Sequence, residues 1–204
     1  MVDINDYLKN TGIGAGANRR KIDASGTVKL EGGATYWDDI AGPLSGAKLG
    51  SAAGSAAYNY NENSVEFAAN GSITNANDRV FMSVQLPHGV KPDSLMKFHM
   101  HWEQTDAVVR TMTLRYRIQD NGEAKVTAWT TVAVDTDDSI YTYVSGTINN
   151  ILPIVAIDLT GVGLSAVVQL QFTRTDGGTG VLAATSLDAH VERDQEGSDQ
   201  EYVR

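Results

Sequence analysis

From residue 34 onward the chain is built of short runs in which apolar and polar residues alternate. The clearest run covers residues 95–103, where Met96, Phe98, Met100 and Trp102 are apolar and Lys97, His99, His101 and Glu103 are polar. Successive side chains of a strand point to opposite faces. The run therefore predicts a strand that buries a Met/Phe/Met/Trp face. Residues 109–119 repeat the pattern, with Met112, Leu114, Tyr116 and Ile118 on one face and Thr113, Arg115, Arg117 and Gln119 on the other. In residues 181–193, Leu187, Ala189 and Val191 face one way, and Asp188, His190 and Glu192 the other. Further strands are predicted over 34–37, 57–60, 64–68, 80–86, 125–134, 141–148, 151–159 and 166–174.

Turn chemistry punctuates these runs. Asn61-Glu62-Asn63 suits a hairpin turn. Asn121-Gly122 is a strong hairpin signal and makes 125–134 the partner of 109–119. Residues 41–54 form a Gly/Ala/Ser loop, and Asp176-Gly177-Gly178-Thr179-Gly180 is a turn. No run of about ten or more residues shows a helical period. About ten strands with one apolar face each must bury those faces against one another, so two antiparallel sheets packed as a β-sandwich or jelly roll are predicted. The absence of internal repeats argues against a propeller or solenoid.

The ends differ from the middle. Residues 1–32 are Gly-rich around 12–17, with spaced apolar residues Ile4, Tyr7, Leu8, Ile13, Ile22, Val28 and Leu30. Glycine is costly to order, so this segment is expected to be a flexible N-terminal arm, extended along a partner. Gly12, Gly14 and Gly16 lack the preceding strand and following helix of a dinucleotide loop. Residues 33–193 form the β domain, and 194–204 a polar tail.

Composition narrows the function classes. The 204 residues include no cysteine, which removes disulfides and thiolate chemistry. The start lacks the basic and apolar regions of a signal peptide. The longest apolar run, 151–157, is too short to span a bilayer. A formal charge of −9 opposes non-specific DNA binding, which needs Lys and Arg on phosphates. Neither nucleic acid nor membrane is an expected partner. The one basic cluster, Arg19-Arg20-Lys21, suits a solvated loop or a contact with an acidic neighbour.

The His-x-His strand poses the main chemical question. His99, His101 and Glu103 share a face, and His190 lies between Asp188 and Glu192 on the last strand. If the two strands are neighbours, three imidazoles and a carboxylate can converge on one ion, as in cupins. Against this, Glu103 follows His101 too closely for the cupin pattern. Cupin ligands also line the barrel interior, whereas here the interior face is Met96, Phe98, Met100 and Trp102. The expectation is a polar outer face with no metal and no cofactor; His99, His101 and His190 are the candidates should a metal bind. No catalytic residue is assigned. Gly-x-Ser-x-Gly is absent, and His88 in Leu86-Pro87-His88-Gly89 has no obvious partner. Asp38-Asp39 and Asp137-Asp138 are expected in solvated turns. Tyr58, Tyr60, Tyr141 and Tyr143 suit a core rim, and Trp37, Trp102 and Trp129 are expected to be mostly buried.

Several stretches together resemble a family of bacteriophage structural proteins. They are Ala34-Thr35-Tyr36-Trp37-Asp38-Asp39; Val84-Gln85-Leu86-Pro87-His88 followed by His99-Met100-His101-Trp102; and His190-Val191-Glu192-Arg193-Asp194 with Gly197-Ser198 and Glu201-Tyr202-Val203. Where family members often carry Trp after Pro-His and Pro before the first His, this chain has Gly89 and Phe98. The resemblance implies a virion component with a jelly-roll-like domain, assembled in the host cytoplasm, and transfers no catalytic residues. With the arm-plus-sandwich plan it suggests a capsid decoration or cement protein, trimeric, partnered by the major capsid protein or other virion proteins. A tail, collar or fibre-base component is the alternative within the particle. A cupin-like metalloenzyme and a carbohydrate-binding module are the alternatives of other classes.

Overall fold

A computed structural model describes residues 13–15, 17–22, 26–42, 44–50, 56–72, 78–104, 106–141 and 149–196. The strands are β1 (Ile13–Ala15), β2 (Asn18–Ile22), β3 (Val28–Glu31), β4 (Tyr36–Gly42), β5 (Ala57–Asn59), β6 (Ser64–Phe67) and β7 (Val80–Gln85). They continue as β8 (Leu95–Gln104), β9 (Thr111–Gln119), β10 (Thr130–Asp135), β11 (Asn150–Asp158), β12 (Val167–Arg174), β13 (Leu182–Arg193) and β14 (Gln195–Glu196).

The chain winds as nested antiparallel pairs. β9 pairs with β10, β8 with β11 and β7 with β12, while β13 is flanked by β6 and β4 at its two ends. The nested pairs alternate between two sheets. One has the order β10-β9-β12-β7; the other has the order β11-β8-β13-β6-β5, with β4 also on β13. This two-sheet winding is the jelly-roll arrangement, and the predicted all-β sandwich is borne out.

Alternation in the sequence becomes the core. Met96, Phe98, Met100 and Trp102 of β8 are at most 1% exposed. They meet Met112 and Leu114 of β9, Val168, Leu170 and Phe172 of β12, and Leu187, Ala189 and Val191 of β13, all buried in one cluster. Phe67 and Phe172 join the sheets, with ring centroids 5.6 Å apart. At about 1.5–3 kcal/mol per fully buried large apolar side chain, this cluster is the main stabilising element.

Three local expectations are corrected. Asp38 and Asp39 lie within β4, not in a turn; the strand continues because β13 supplies partners as far as Leu187↔Gly42. Gly122 does turn, with φ of 77°, but β10 begins only at Thr130. Side chains of β9 take the ladder's place there: Gln119 Oε1 accepts from the Val126 N–H at 2.8 Å, and Arg117 Nη1 donates to the Val126 carbonyl at 2.7 Å. Third, Trp37 is 49% exposed. The strand expected at 141–148 falls, beyond Tyr141, outside the described residues.

The first three and the last of the described strands form a third, small sheet of order β1-β2-β3-β14. β3, from the expected arm, pairs with β14, from the expected tail, through Lys29↔Gln195 and Val28↔Glu196.

Candidate functional site

The outer face of the larger sheet gathers the polar residues of three adjacent strands. Across β8 and β13 the register sets His99 opposite Asp188, His101 opposite Ser186 and Lys97 opposite His190. Across β13 and β4 it sets His190 opposite Asp39. Directly opposed residues of an antiparallel pair share a face, with Cβ atoms about 4.5–5.5 Å apart. A bulge between Ala184 and Ser186 is essential to this placement. Before it Leu182 and Ala184 face the core; after it Leu187 and Ala189 do. The added residue reverses the alternation and turns Asp188 outward, toward the histidines.

The resulting geometry is tight. His99 Nε2 and His101 Nε2 are 3.2 Å apart. Asp188 Oδ2 lies 3.2 Å from His101 Nε2 and 3.8 Å from His99 Nε2. The Ser186 hydroxyl donates to the other carboxylate oxygen of Asp188 at 2.8 Å. His190 packs edge-on against the His99 ring, centroids 4.6 Å apart, but its Nε2 is 2.9 Å from Asp39 Oδ1. His99 is only 8% exposed. Burial pushes its pKa below the ordinary histidine value, helped by nearby His190, while the Asp188 charge pulls the other way. His99 is therefore a buried imidazole held toward its neutral form, not a solvated side chain.

The structure thus joins two of the sequence candidates, His99 and His101, to Asp188, and directs the third, His190, to Asp39. Asp188 was legible as a neighbour of His190 on the last strand, but the register across β8 and β13 was not. The cluster borders a cleft of about 610 Å³, also lined by Ile140, Ile151 and Pro153. Lys97 closes one side, its Nζ 4.4 Å from the centroid of the exposed Trp37 ring.

The other candidates have structural partners. His88 Nε2 lies 2.6 Å from Ser165 Oγ, a contact between two loops far apart in sequence. Ser165 is 5% exposed and His88 is half-buried, so the contact ties the two loops together. Asp38 pairs with Arg193 at 2.5 Å. Asp137 and Asp138 are exposed, in a short helical turn after β10. Trp129 stands half-buried between Arg115 and Arg117, whose guanidinium carbons lie 4.8 Å and 4.5 Å from its ring centroid. Sequence reasoning missed Arg110 and Arg174, both 0% exposed. Arg174 holds the Asp176–Gly180 turn, donating to Asp176 and to the carbonyls of Gly178 and Gly180.

Neither a protein-family model nor a curated protein matches this chain. Among solved structures it is similar to the enzymatically active domain of tailspike protein 4 from bacteriophage CBA120, with a TM-score of 0.32 and 9% identity. The match covers 76% of this chain and 19% of that one, so the chain spans less than a fifth of the tailspike chain's length.

Proposed function

We propose that this chain is a structural component of a bacteriophage particle, a decoration or cement protein that docks on the capsid lattice and associates as a trimer. The observation that carries the reading is the small sheet that β1–β3 make with β14. It lies outside the sandwich, and β1 and β14 are its outer strands. Edge strands offer unpaired backbone groups that a neighbouring chain can extend. Arg19 and Arg20 are exposed on this sheet and pair with its own Glu31 and Glu196, tying β2 to β3 and to β14. A docking module at the termini leaves the sandwich to act as a rigid body, and many such links across a lattice sum to strong avidity.

The resemblance of residues 34–204 to phage structural proteins supports the same reading. A cupin-like enzyme would need ligands inside the barrel, where β8 presents Met96, Phe98, Met100 and Trp102. The test uses the full chain and capsids assembled without it. The protein should co-sediment with preassembled capsids and raise the temperature at which they release DNA, and light scattering should give the mass of three chains. Particles lacking it should assemble but fail sooner on heating. Density for the chain at the tail alone would overturn the cement reading in favour of a collar or fibre-base role.

A further inference from the structure

We propose that His99, His101 and Asp188 form a binding site for a divalent transition metal of the zinc class, on the outer face of the sandwich. The proposal rests on this cluster alone and is independent of the capsid reading.

The first argument is geometric. A tetrahedral zinc ion holds nitrogen and oxygen ligands at about 2.0–2.2 Å, so two ligand atoms on one ion lie about 3.3–3.5 Å apart. The three donor atoms here are separated by 3.2, 3.2 and 3.8 Å. Backbone register sets this triangle: His99 and His101 are alternate residues of β8, and the β13 bulge brings Asp188 opposite.

The second argument is the balance of protons and lone pairs. A neutral imidazole nitrogen carries either a hydrogen or a lone pair, and an ionised carboxylate only accepts. A hydrogen on His101 Nε2 lies along the edge to Asp188 or along the edge to His99, not along both. A hydrogen on His99 Nε2 aimed at His101 sets the His101 lone pair against the carboxylate. The His99–Asp188 edge, at 3.8 Å, is beyond hydrogen-bond reach. Protons satisfy this triangle one edge at a time, whereas one cation at its centre satisfies all three atoms.

The donor set selects the metal class. Two imidazoles and one carboxylate suit zinc and its neighbours, while calcium and magnesium prefer all-oxygen sites. The Ser186 hydroxyl on the far oxygen of Asp188 supplies the outer hydrogen bond that fixes a ligating carboxylate. Three protein ligands leave a fourth position for water or another oxygen ligand. His190, packed against His99 and bonded to Asp39, is a neighbour of the site and not a ligand.

The test is calorimetric titration of the chelator-treated full chain with zinc chloride, alongside cobalt(II) binding followed by visible absorption. One zinc per chain is expected, and cobalt should give the intense bands of a tetrahedral site. His101→Ala and Asp188→Asn should each abolish stoichiometric binding, and Ser186→Ala should weaken it by about tenfold or more. His190→Ala should keep the stoichiometry and the cobalt spectrum. Circular dichroism of each variant separates loss of the site from loss of the fold, and His101→Gln replaces any variant that unfolds. Absence of stoichiometric zinc binding to the parent chain would overturn the proposal, as would binding that survives in a folded His101→Ala/Asp188→Asn double variant.

Discussion

The indole N–H of Trp102 donates to Ser139 Oγ at 3.0 Å, joining the C-terminal end of β8 to the turn that follows β10. The ring is fully buried, so one side chain serves both the apolar core and the anchoring of that turn. Removing a buried Trp costs about 3–5 kcal/mol. Trp102→Ala should therefore lower the denaturation midpoint steeply in a urea titration. Trp102→Phe, which keeps much of the ring and loses the hydrogen bond, should cost less. Thr131→Ala, at an exposed position of β10, should stay within about 0.5 kcal/mol. Similar losses for Trp102→Ala and Thr131→Ala would show that the buried face of β8 is wrongly assigned.

Acid should weaken the Asp176–Gly180 turn through one group. Burial raises the pKa of Asp176, but hydrogen bonds from Arg174 and from the backbone N–H groups of Gly178 and Thr111 more than offset this and bring it to about 2. An unfolded Asp titrates near 3.9. The unfolded chain thus binds the proton first, and the stability from this carboxylate is complete above pH about 4 and lost as pH falls toward about 2. The shift corresponds to a contribution on the order of 2 kcal/mol. Asp176→Asn should be less stable than the parent at neutral pH by an amount of that order. The two unfolding curves should converge near pH 2; a constant gap down to that pH would exclude this group as the source.

Much of the fold was legible because alternation and burial follow from the same pleat. Met96 through Trp102 and Met112 through Leu114 announced their core faces directly. What eluded sequence reasoning depended on register. Asp188 was visible as a polar residue of the last strand, but the bulge beside Ser186 brings it opposite His99, and a bulge has no dependable signature in one sequence. The buried arginines were hidden for a related reason. Arg174 is charged, and only the folded turn with Asp176 and its carbonyls makes it a core residue. Trp37 failed in the opposite sense: its strand position was anticipated, but β4 turns that face of the ring toward solvent and Lys97.

Gly71 lies against β12 more closely than any side chain permits. A Cβ there would meet the Thr173 hydroxyl and would sit 2.5 Å from the carbonyl oxygen of Arg174. The hydroxyl can rotate away, but the backbone oxygen cannot without moving β12. Overpacking of this kind costs about 1–3 kcal/mol. Gly71→Ala should lower the melting temperature measurably, whereas Gly46→Ala, where a Cβ meets nothing within 4 Å, should not. Equal melting temperatures for the two variants would refute the close approach.

Deleting residues 194–204 should expose the other end of the chain. Such a deletion removes β14, the partner of β3, and the Asp194 carbonyl that accepts from the Leu30 N–H at 2.5 Å. It also removes Glu196, which pairs with Arg20, although an exposed ion pair contributes only about 0–1 kcal/mol. Loss of the backbone ladder is the larger effect. Trypsin cleavage after Arg19, Arg20 and Lys21 should accelerate in the shortened chain, as read by mass spectrometry of timed digests. The sandwich should persist, because its core cluster draws on no residue of 194–204, and the buried Trp102 should keep its blue-shifted fluorescence. Unchanged cleavage rates would mean that β1–β3 hold together without β14; collapse of the fluorescence would mean that the small sheet is part of the sandwich's own stability.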